Sequence, residues 1–267
     1  MAKTRLPAVA GAFYPFDKRE LSAMVGDYVS KGKDVLLKGK LRGLVVPHAG
    51  YVYSGPVAGA GYKLLSKHSQ GIERIILLGP SHHAWFKGAS EGGFDEWITP
   101  LGKVKAGSLA SKLKGEGKGL VQTIPQAHVP EHCLEVQLPF LQSVLKKDFE
   151  IFPLLCGEVD AGLLAKAIAP AVDAKTLVIA SSDLSHYLPY EVAVKVDKNA
   201  NELVPALDIR GFEAKGDACG KTPILVLMHL AKIKGWKGLF LDYKNSGDTA
   251  GDKSRVVGYG CYAFYEK

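Results

Sequence analysis

The chain has 267 residues, of which 47% are hydrophobic and 23% charged, a balance that is typical of soluble globular domains and excludes a disordered chain. No apolar run approaches the ~20 residues of a membrane span, and four widely spaced cysteines without a secretory leader predict a reduced, cytoplasmic protein. Only six of the 34 basic residues are arginine, so the net charge of +7 predicts a solvated lysine surface, around residues 31–40 and 103–118, rather than a nucleic-acid site.

The predicted elements alternate between short apolar strands and longer helices. In chain order, the strands are residues 43–46, 74–78, 149–155 and 176–180, followed by a closing strand at 255–265. The helices are residues 135–146, 158–172, 191–207 and 219–234, preceded by one that Ser54 would cap and that runs to about Lys67, with Pro56 in its first turn. This alternation predicts a single α/β domain over residues 1–267, with a mostly parallel sheet covered by helices.

Polar side chains follow three of these strands. His48 comes after the first, His82 and His83 after the second, and Asp183 and His186 after the fourth. Ligands of open α/β sheets bind beyond the carboxyl ends of the strands, so we expect these side chains to converge on one pocket, with His82 and His83 as alternatives. A single histidine of this kind is more often structural, but three such strand ends indicate a functional site.

A metal site would need a third ligand besides two histidines, with one coordination position left open. Asp183 would complete a 2-His-1-carboxylate site that suits Fe(II). Cys219 is the other candidate, because free backbone N–H groups at the start of the last helix and Lys221 would favour its thiolate. A metal-free interpretation stays open, in which Cys219 is a nucleophile, a nearby histidine is its base and Asp183 orients the histidine.

Two local motifs carry less weight. Gly220-Lys221-Thr222 is similar to the end of a phosphate-binding loop, but Lys215 replaces the required glycine and no strand precedes it, so we expect no nucleotide cofactor. Residues 128–132 fit the H-x-x-E-H pattern of inverted zinc proteases, which must lie within a helix. Pro130 would break that helix, so we expect Pro130 to start a helix, with residues 131–135 in its first turns.

Together, the motifs of the chain resemble those of the Memo family, in the same order and over nearly the whole length. The residues that carry the resemblance are Val9-Ala10-Gly11-Ala12-Phe13-Tyr14-Pro15, Pro47-His48-Ala49-Gly50-Tyr51 with Tyr53-Ser54-Gly55, Gly79-Pro80-Ser81-His82-His83, Glu131-His132 with Glu135 and Leu138-Pro139, Ser181-Ser182-Asp183 with His186, and Cys219-Gly220 with Pro223-Ile224. The resemblance implies a three-layer α/β/α fold with a mostly parallel or mixed central sheet, similar to that of the class III extradiol dioxygenases, which are non-haem iron enzymes that open catechol rings. Prokaryotic members are called AmmeMemoRadiSam system protein B, which implies AMME-type and radical-SAM proteins as partners.

Carried over to this chain, the resemblance implies that His48, His82 and Cys219 bind a metal ion and that Asp183 and His186 lie beside them. The dioxygenases have a glutamate in the place of Cys219, so the resemblance does not imply ring cleavage. A thiolate favours softer ions, which adds copper and zinc to iron as candidate metals. His186 stands where the dioxygenases have their acid/base histidine.

Two functions follow as competing expectations. The first is a metal-dependent oxidoreductase acting on an unidentified small molecule, in which His186 transfers the proton and Asp183 orients that histidine. The second is a metal-binding or adaptor protein without turnover, whose pocket receives a metal ion or a peptide. The link of animal Memo proteins to cell-motility signalling supports this second expectation.

Overall fold

The strands form one mixed sheet in the computed structural model, which describes residues 2–113, 117, 119–145 and 147–267. They are β1 (Thr4–Arg5), β2 (Lys40–Val46), β3 (Arg74–Pro80), β4 (Ala89–Glu91), β5 (Glu96–Thr99), β6 (Gly102–Ala106), β7 (Val121–Thr123), β8 (Glu150–Cys156), β9 (Thr176–Ser181), β10 (His186–Leu188), β11 (Lys237–Asn245) and β12 (Val256–Glu266). The centre of the sheet, in the order β6-β8-β3-β9-β2, is parallel, and β12 pairs with β2 in the antiparallel direction. The prediction of a mostly parallel or mixed sheet is confirmed.

The α-helices cover both faces of this sheet. They are α1 (Lys18–Lys31), α2 (Tyr51–His68), α3 (Pro125–His128), α4 (Leu138–Val144), α5 (Ala161–Ile168), α6 (Tyr190–Leu203), α7 (Ile209–Lys215), α8 (Lys221–Lys234) and α9 (Ser246–Thr249), with 3-10 turns at Ala110–Lys112, Glu135–Gln137 and Ala169–Ala171. Leu44 and Val46 of β2 belong to the core that contains the buried residues of α1, α2 and α4. Val45, between them, points into the core formed with α5, α6, α7 and α8, as the period of two in a strand requires. The fold is therefore the three-layer α/β/α structure that the resemblance implied.

The predicted helix around residues 54–67 exists, but its start differs from the prediction. Helix α2 begins at Tyr51 with Gly50 as its N-cap, and the Ser54 hydroxyl donates a hydrogen bond back to Ala49 O at 2.8 Å. Pro56 consequently lies inside the helix rather than in its first turn. The prediction that Ser54 caps the helix is wrong because this hydroxyl satisfies a carbonyl instead of an N–H group at the helix end.

The expected helix start at Pro130 is also wrong. Helix α3 ends at His128, and the next regular element is the 3-10 turn that begins at Glu135. Between them, the carboxylate of Glu131 accepts the N–H groups of His132 and Cys133 at 2.9 and 3.1 Å. A side chain that satisfies these backbone groups removes the need for helical hydrogen bonds.

Other helix bounds shift by a few residues. Of the residues predicted at 135–146, 135–144 form the 3-10 turn and α4, and Lys146 lies outside the described residues. The helix predicted at 158–172 starts only at Ala161, where the Asp160 side chain accepts the N–H of Leu163. Helix α6 ends at Leu203 and α8 starts after Cys219. Residues 114–116 and 118 of the second lysine-rich stretch also lie outside the described residues.

Several elements were not predicted, among them α1, α7 and β11. Helix α1 has a capping residue, Asp17, which accepts the N–H groups of Arg19 and Glu20. Strand β11 pairs with β12 along most of its length. In the described part of the chain, no helix combines the length and apolar character needed to cross a bilayer.

Candidate metal centre

The site lies where three neighbouring parallel strands end. Strand β9 is flanked by β2 and β3, with Val46 opposite Ser181 and Leu78 opposite Ala180. His48, His82 and Asp183 each follow the last residue of one of these strands by two positions. Shared register brings the three turns to one edge of the sheet, as the sequence predicted.

His48, His82 and Cys219 form a compact donor set. One ligand atom from each residue lies within 4.8 Å of the others. The closest pair is His48 Nε2 and Cys219 Sγ at 3.2 Å, and the rings of His48 and His82 meet edge to face at 5.2 Å between centroids. Of the two histidines that follow β3, His82 rather than His83 belongs to this set.

A hydrogen-bond chain fixes the orientation of the buried His48 ring. The Ser181 hydroxyl donates its single proton to Cys133 O at 2.6 Å, so it can only accept from His48 Nδ1, 3.0 Å away. The ring proton is therefore on Nδ1, and the lone pair of Nε2 faces Cys219. Burial, followed by the nearby His82, lowers the pKa of His48 to about 3, so this ring is neutral at pH 7.

Glu131 orients His82 from behind. Its carboxylate accepts the ring Nδ1–H of His82 at 2.9 Å and the backbone N–H of the same residue at 2.7 Å. Burial alone would raise the pKa of Glu131, but the hydrogen bonds from His82 and Cys133 hold the pKa well below its usual range. The ionised carboxylate thus occupies Nδ1 and leaves Nε2 as the ring nitrogen of His82 that is free to bind a metal ion, the arrangement found behind metal-binding histidines.

The segment from Glu131 to Gln137 supports both histidines. Gln137 is buried, and its amide donates to Ser181 Oγ at 2.8 Å and to Pro47 O at 3.0 Å. The amide oxygen accepts the Tyr62 hydroxyl at 2.8 Å, which fixes the orientation of the amide. Sequence reasoning missed Gln137; the available signal was one uncharged polar residue within an otherwise apolar run.

Cys219 is a thiol rather than a thiolate in the absence of metal. Burial, and then the charge of Asp183, raise the pKa of Cys219 to about 12. The expectation that the start of α8 and Lys221 favour the thiolate is therefore wrong for the metal-free protein, because desolvation outweighs the helix end. A divalent ion would displace this proton, since a coordinated thiol is deprotonated.

Asp183 has a different partner from the one predicted. Its carboxylate accepts the backbone N–H of His48 at 2.7 Å and that of Ala49, so it holds the turn after β2 rather than the ring of His186. Burial raises its pKa to about 6, opposed by the hydrogen bond from His48 N–H and by the charge of His186. His186 is half-buried in β10, opposite Val257, at a site close enough to influence Asp183 electrostatically. In the metal-free Cys-His-Asp interpretation, Asp183 would have to bind Nδ1 of the histidine base. At His48 this nitrogen is bonded to the Ser181 hydroxyl instead.

A fourth imidazole, His132, forms part of the same pocket. Its ring stacks on that of His82 at 4.9 Å and 12°, and meets His48 edge to face at 5.5 Å. Burial, followed by the nearby His48, lowers the pKa of His132 to about 4. The H-x-x-E-H pattern drew attention to this residue, but as a helix position rather than as a neighbour of His48 and His82.

Comparison with known proteins agrees with the fold and the motifs. The family model described as "Memo-like protein" matches residues 5–263. A MEMO1 family protein of Saccharolobus solfataricus is 37% identical over 290 residues, covering 96% of this chain and 97% of that protein. A MEMO1 family protein of Nitrosopumilus maritimus is 36% identical, covering 97% and 99%. A crystal structure of an uncharacterized protein from Escherichia coli K12 is similar in fold, with a TM-score of 0.53 and 13% identity over 84% of this chain and 99% of that one.

Proposed function

The chain belongs to the Memo family, and on this basis we propose that it is a metal-dependent oxidoreductase with a metal ion bound by His48, His82 and Cys219. The observation that supports this proposal most is the convergence of two oriented imidazole nitrogens and one thiol within 4.8 Å. Ser181 and Glu131 hold the two rings with their Nε2 atoms toward that point. Such pre-orientation is a property of metal sites and is costly to build for packing alone.

The donor set fits a borderline or soft transition-metal ion. Imidazole suits iron, copper and zinc, and a thiolate shifts the preference toward copper and zinc. Among these, iron and copper are the ions that would supply redox chemistry when bound. Three protein ligands leave a coordination position for substrate, as in catalytic rather than structural sites.

Residues of the chain itself would transfer a proton to or from the substrate. His186 is half-buried at the strand that follows Asp183, so its ring is accessible to a substrate and serves as the proposed acid or base. Asp183 holds the turn that carries His48 and adds a buried carboxylate beside the thiol. His132, which stacks on His82, also contacts Phe13, with 4.8 Å between the ring centroids, so an aromatic pair lies beside the donor set.

A second candidate function is supported by exposed aromatic side chains close to the site residues in sequence. Tyr187 follows His186 directly and is 63% exposed, and Trp85 lies three residues after His82 and is 75% exposed. Aromatic residues are enriched at protein–protein interfaces relative to the rest of the surface. A metal-binding protein that receives a peptide over this pocket, without turnover, is the alternative we keep.

Oxygen consumption and product analysis distinguish the two functions. The protein, loaded anaerobically with Fe(II) or Cu(I), would be supplied with catechols and other oxidisable small molecules. We expect turnover that is lost in His186→Asn and retained in His68→Asn, a matched histidine at the far end of α2. Metal binding without turnover across the panel would favour the peptide-binding alternative, and turnover unaffected by His186→Asn would contradict the role of His186.

A further inference from the structure

A buried arginine lies behind the loop that carries Glu131. Arg5, in β1, is 2% exposed, yet each of its five N–H donors has an acceptor. These acceptors are His128 O at 2.9 Å, Glu135 Oε2 at 2.7 Å, Leu6 O at 3.3 Å, Glu131 O at 2.5 Å and Val129 O at 3.5 Å. The guanidinium carbon also lies over the Trp97 ring, 4.2 Å from its centroid. A charge this deeply buried is tolerated only with such complete pairing.

Three of the five acceptors belong to one short loop. The carbonyls of His128, Val129 and Glu131 all point at the guanidinium, so one rigid fork fixes the loop's main chain over four residues. Between α3 and the following 3-10 turn, the described chain forms no regular helix or strand, and its local backbone bonds are single turns such as Glu131 N–H to His128 O at 3.3 Å. Arg5 therefore provides the order that regular secondary structure provides elsewhere.

Glu135 anchors the other side of the fork. Its carboxylate accepts Arg5 Nη1 and the N–H of Ala8 at 2.7 Å each, the N–H of Val9 at 3.1 Å and the Tyr14 hydroxyl at 2.6 Å. Both partners of the ion pair are at most 1% exposed at their side chains. The pair ties the N-terminal segment and the 131–137 segment into one rigid unit.

We propose that Arg5 is a positioning residue for the metal ligand His82, an inference that rests on the proposed metal function. Arg5 binds the main-chain carbonyls of Val129 and of Glu131 itself, and the Glu131 carboxylate in turn accepts the backbone N–H and the ring Nδ1–H of His82. A lysine would keep the charge, but its three donors radiate from one atom and cannot span three carbonyls and a carboxylate. Relaxing the loop would let Glu131 move away from the ring and let His82 Nε2 turn away from the donor set.

The test is a double-mutant cycle on Co²⁺ affinity, with visible absorption reporting the thiolate and imidazole ligands. We expect Arg5→Lys to raise the Kd for Co²⁺ about 10-fold and Glu131→Gln about 10- to 100-fold, the range for residues that orient metal ligands. Because Arg5 acts through Glu131, the double variant should bind no more weakly than Glu131→Gln alone. Arg42→Lys is the matched control, since Arg42 is a buried arginine that pairs with Glu266 and Ala174 O at the opposite end of β2 from His48. It should lower stability and leave the Kd unchanged.

A second measurement does not require metal. ¹⁵N NMR of the metal-free protein reports the His82 tautomer, which should be Nδ1–H in the wild type and mixed in Arg5→Lys, with His48 unaffected. If the wild type binds no Co²⁺, the proposed function fails and this spectrum alone decides the role of Arg5. Additive effects in the cycle, an Arg42→Lys effect as large as that of Arg5→Lys, or an unchanged His82 tautomer would overturn the proposal. If Arg5→Lys does not fold, Glu135→Gln serves instead, because it weakens the ion pair that holds the Arg5 guanidinium. An unchanged His82 tautomer in that variant would overturn the proposal equally.

Discussion

Glu131 holds His82 at two points, at the backbone N–H at 2.7 Å and at ring Nδ1 at 2.9 Å, so one carboxylate sets both the position and the tautomer of the ring. The same carboxylate also accepts the N–H groups of His132 and Cys133. This concentration of donors on one ionised group explains why a loop without regular secondary structure can orient the ring of His82.

Replacing Glu131 by Gln should weaken metal binding about 10- to 100-fold. The amide can no longer accept at both oxygen positions, so the ring of His82 loses its fixed tautomer. Isothermal titration calorimetry measures this change in metal affinity. Glu91→Gln is the control, because Glu91 is likewise buried and accepts the N–H groups of Leu109 and Ala110, outside the donor set. Equal losses of affinity in the two variants would contradict the role of Glu131.

Replacing Ser181 by Ala should release the His48 ring. Without the hydroxyl, His48 Nδ1 and the Gln137 amide both lose a partner, and the tautomer with Nε2 free is no longer enforced. We expect metal affinity to fall about 10-fold. Ser66→Ala, which removes a hydroxyl bonded to Lys63 O near the end of α2, should leave affinity unchanged. A wild-type Kd in Ser181→Ala would show that the His48 ring is held by other means.

Metal binding should release one proton between pH 7.5 and 9. The Cys219 thiol, with a pKa of about 12, is protonated in this range, whereas His48, with a pKa of about 3, is neutral. Coordination therefore releases the thiol proton of Cys219. The apparent Kd for the metal ion should fall about tenfold for each unit of pH increase. Calorimetry in buffers of different ionisation enthalpy counts the proton. Release that persists in Cys219→Ala would contradict the assignment of the thiol as a ligand.

His128 should make the fold sensitive to mild acid. Burial lowers its pKa to about 4, opposed by the hydrogen bond to Ser90 O at 2.9 Å, whereas an unfolded histidine titrates near 6.5. Between these values the unfolded chain binds the extra proton, so stability falls as the pH falls. The variant His128→Asn has no ionisable group at this position, so it lacks this contribution to the pH dependence of stability. Between pH 7 and pH 5, the wild type should lose about 2 kcal/mol more unfolding free energy than the variant, measured by urea denaturation. Equal losses in both proteins would show that His128 binds a proton as readily in the folded chain as in the unfolded chain.

The site residues that could be predicted from the sequence are those that directly follow a strand. His48, His82 and Asp183 follow strands whose apolar runs are evident in the sequence, and parallel pairing makes their meeting a geometric consequence. The choice of Cys219 over Asp183 as the third donor depends on where α8 begins relative to β9. The residues alone left that choice open, and the family resemblance indicated Cys219.

The supporting residues could not be predicted in the same way. Gln137, Ser181 and Arg5 act through hydrogen bonds to groups 44 to 133 positions away in the chain, which no local pattern encodes. The failed helix at Pro130 has the same cause, because the backbone of that loop is satisfied by the side chains of Arg5 and Glu131. Likewise, the Asp183 carboxylate accepts the backbone N–H of His48, a contact that exists because β2 and β9 end side by side in the folded sheet.

The most direct test of the account is metal stoichiometry, measured by mass spectrometry on protein reconstituted anaerobically with Fe(II) or Cu(I). The account predicts one tightly bound ion in the wild type and in His83→Ala, and loss of that ion in His48→Ala, His82→Ala and Cys219→Ala. Circular dichroism would establish that all variants are folded. An unchanged stoichiometry in the three ligand variants, or a wild type that binds neither ion, would contradict the metal centre.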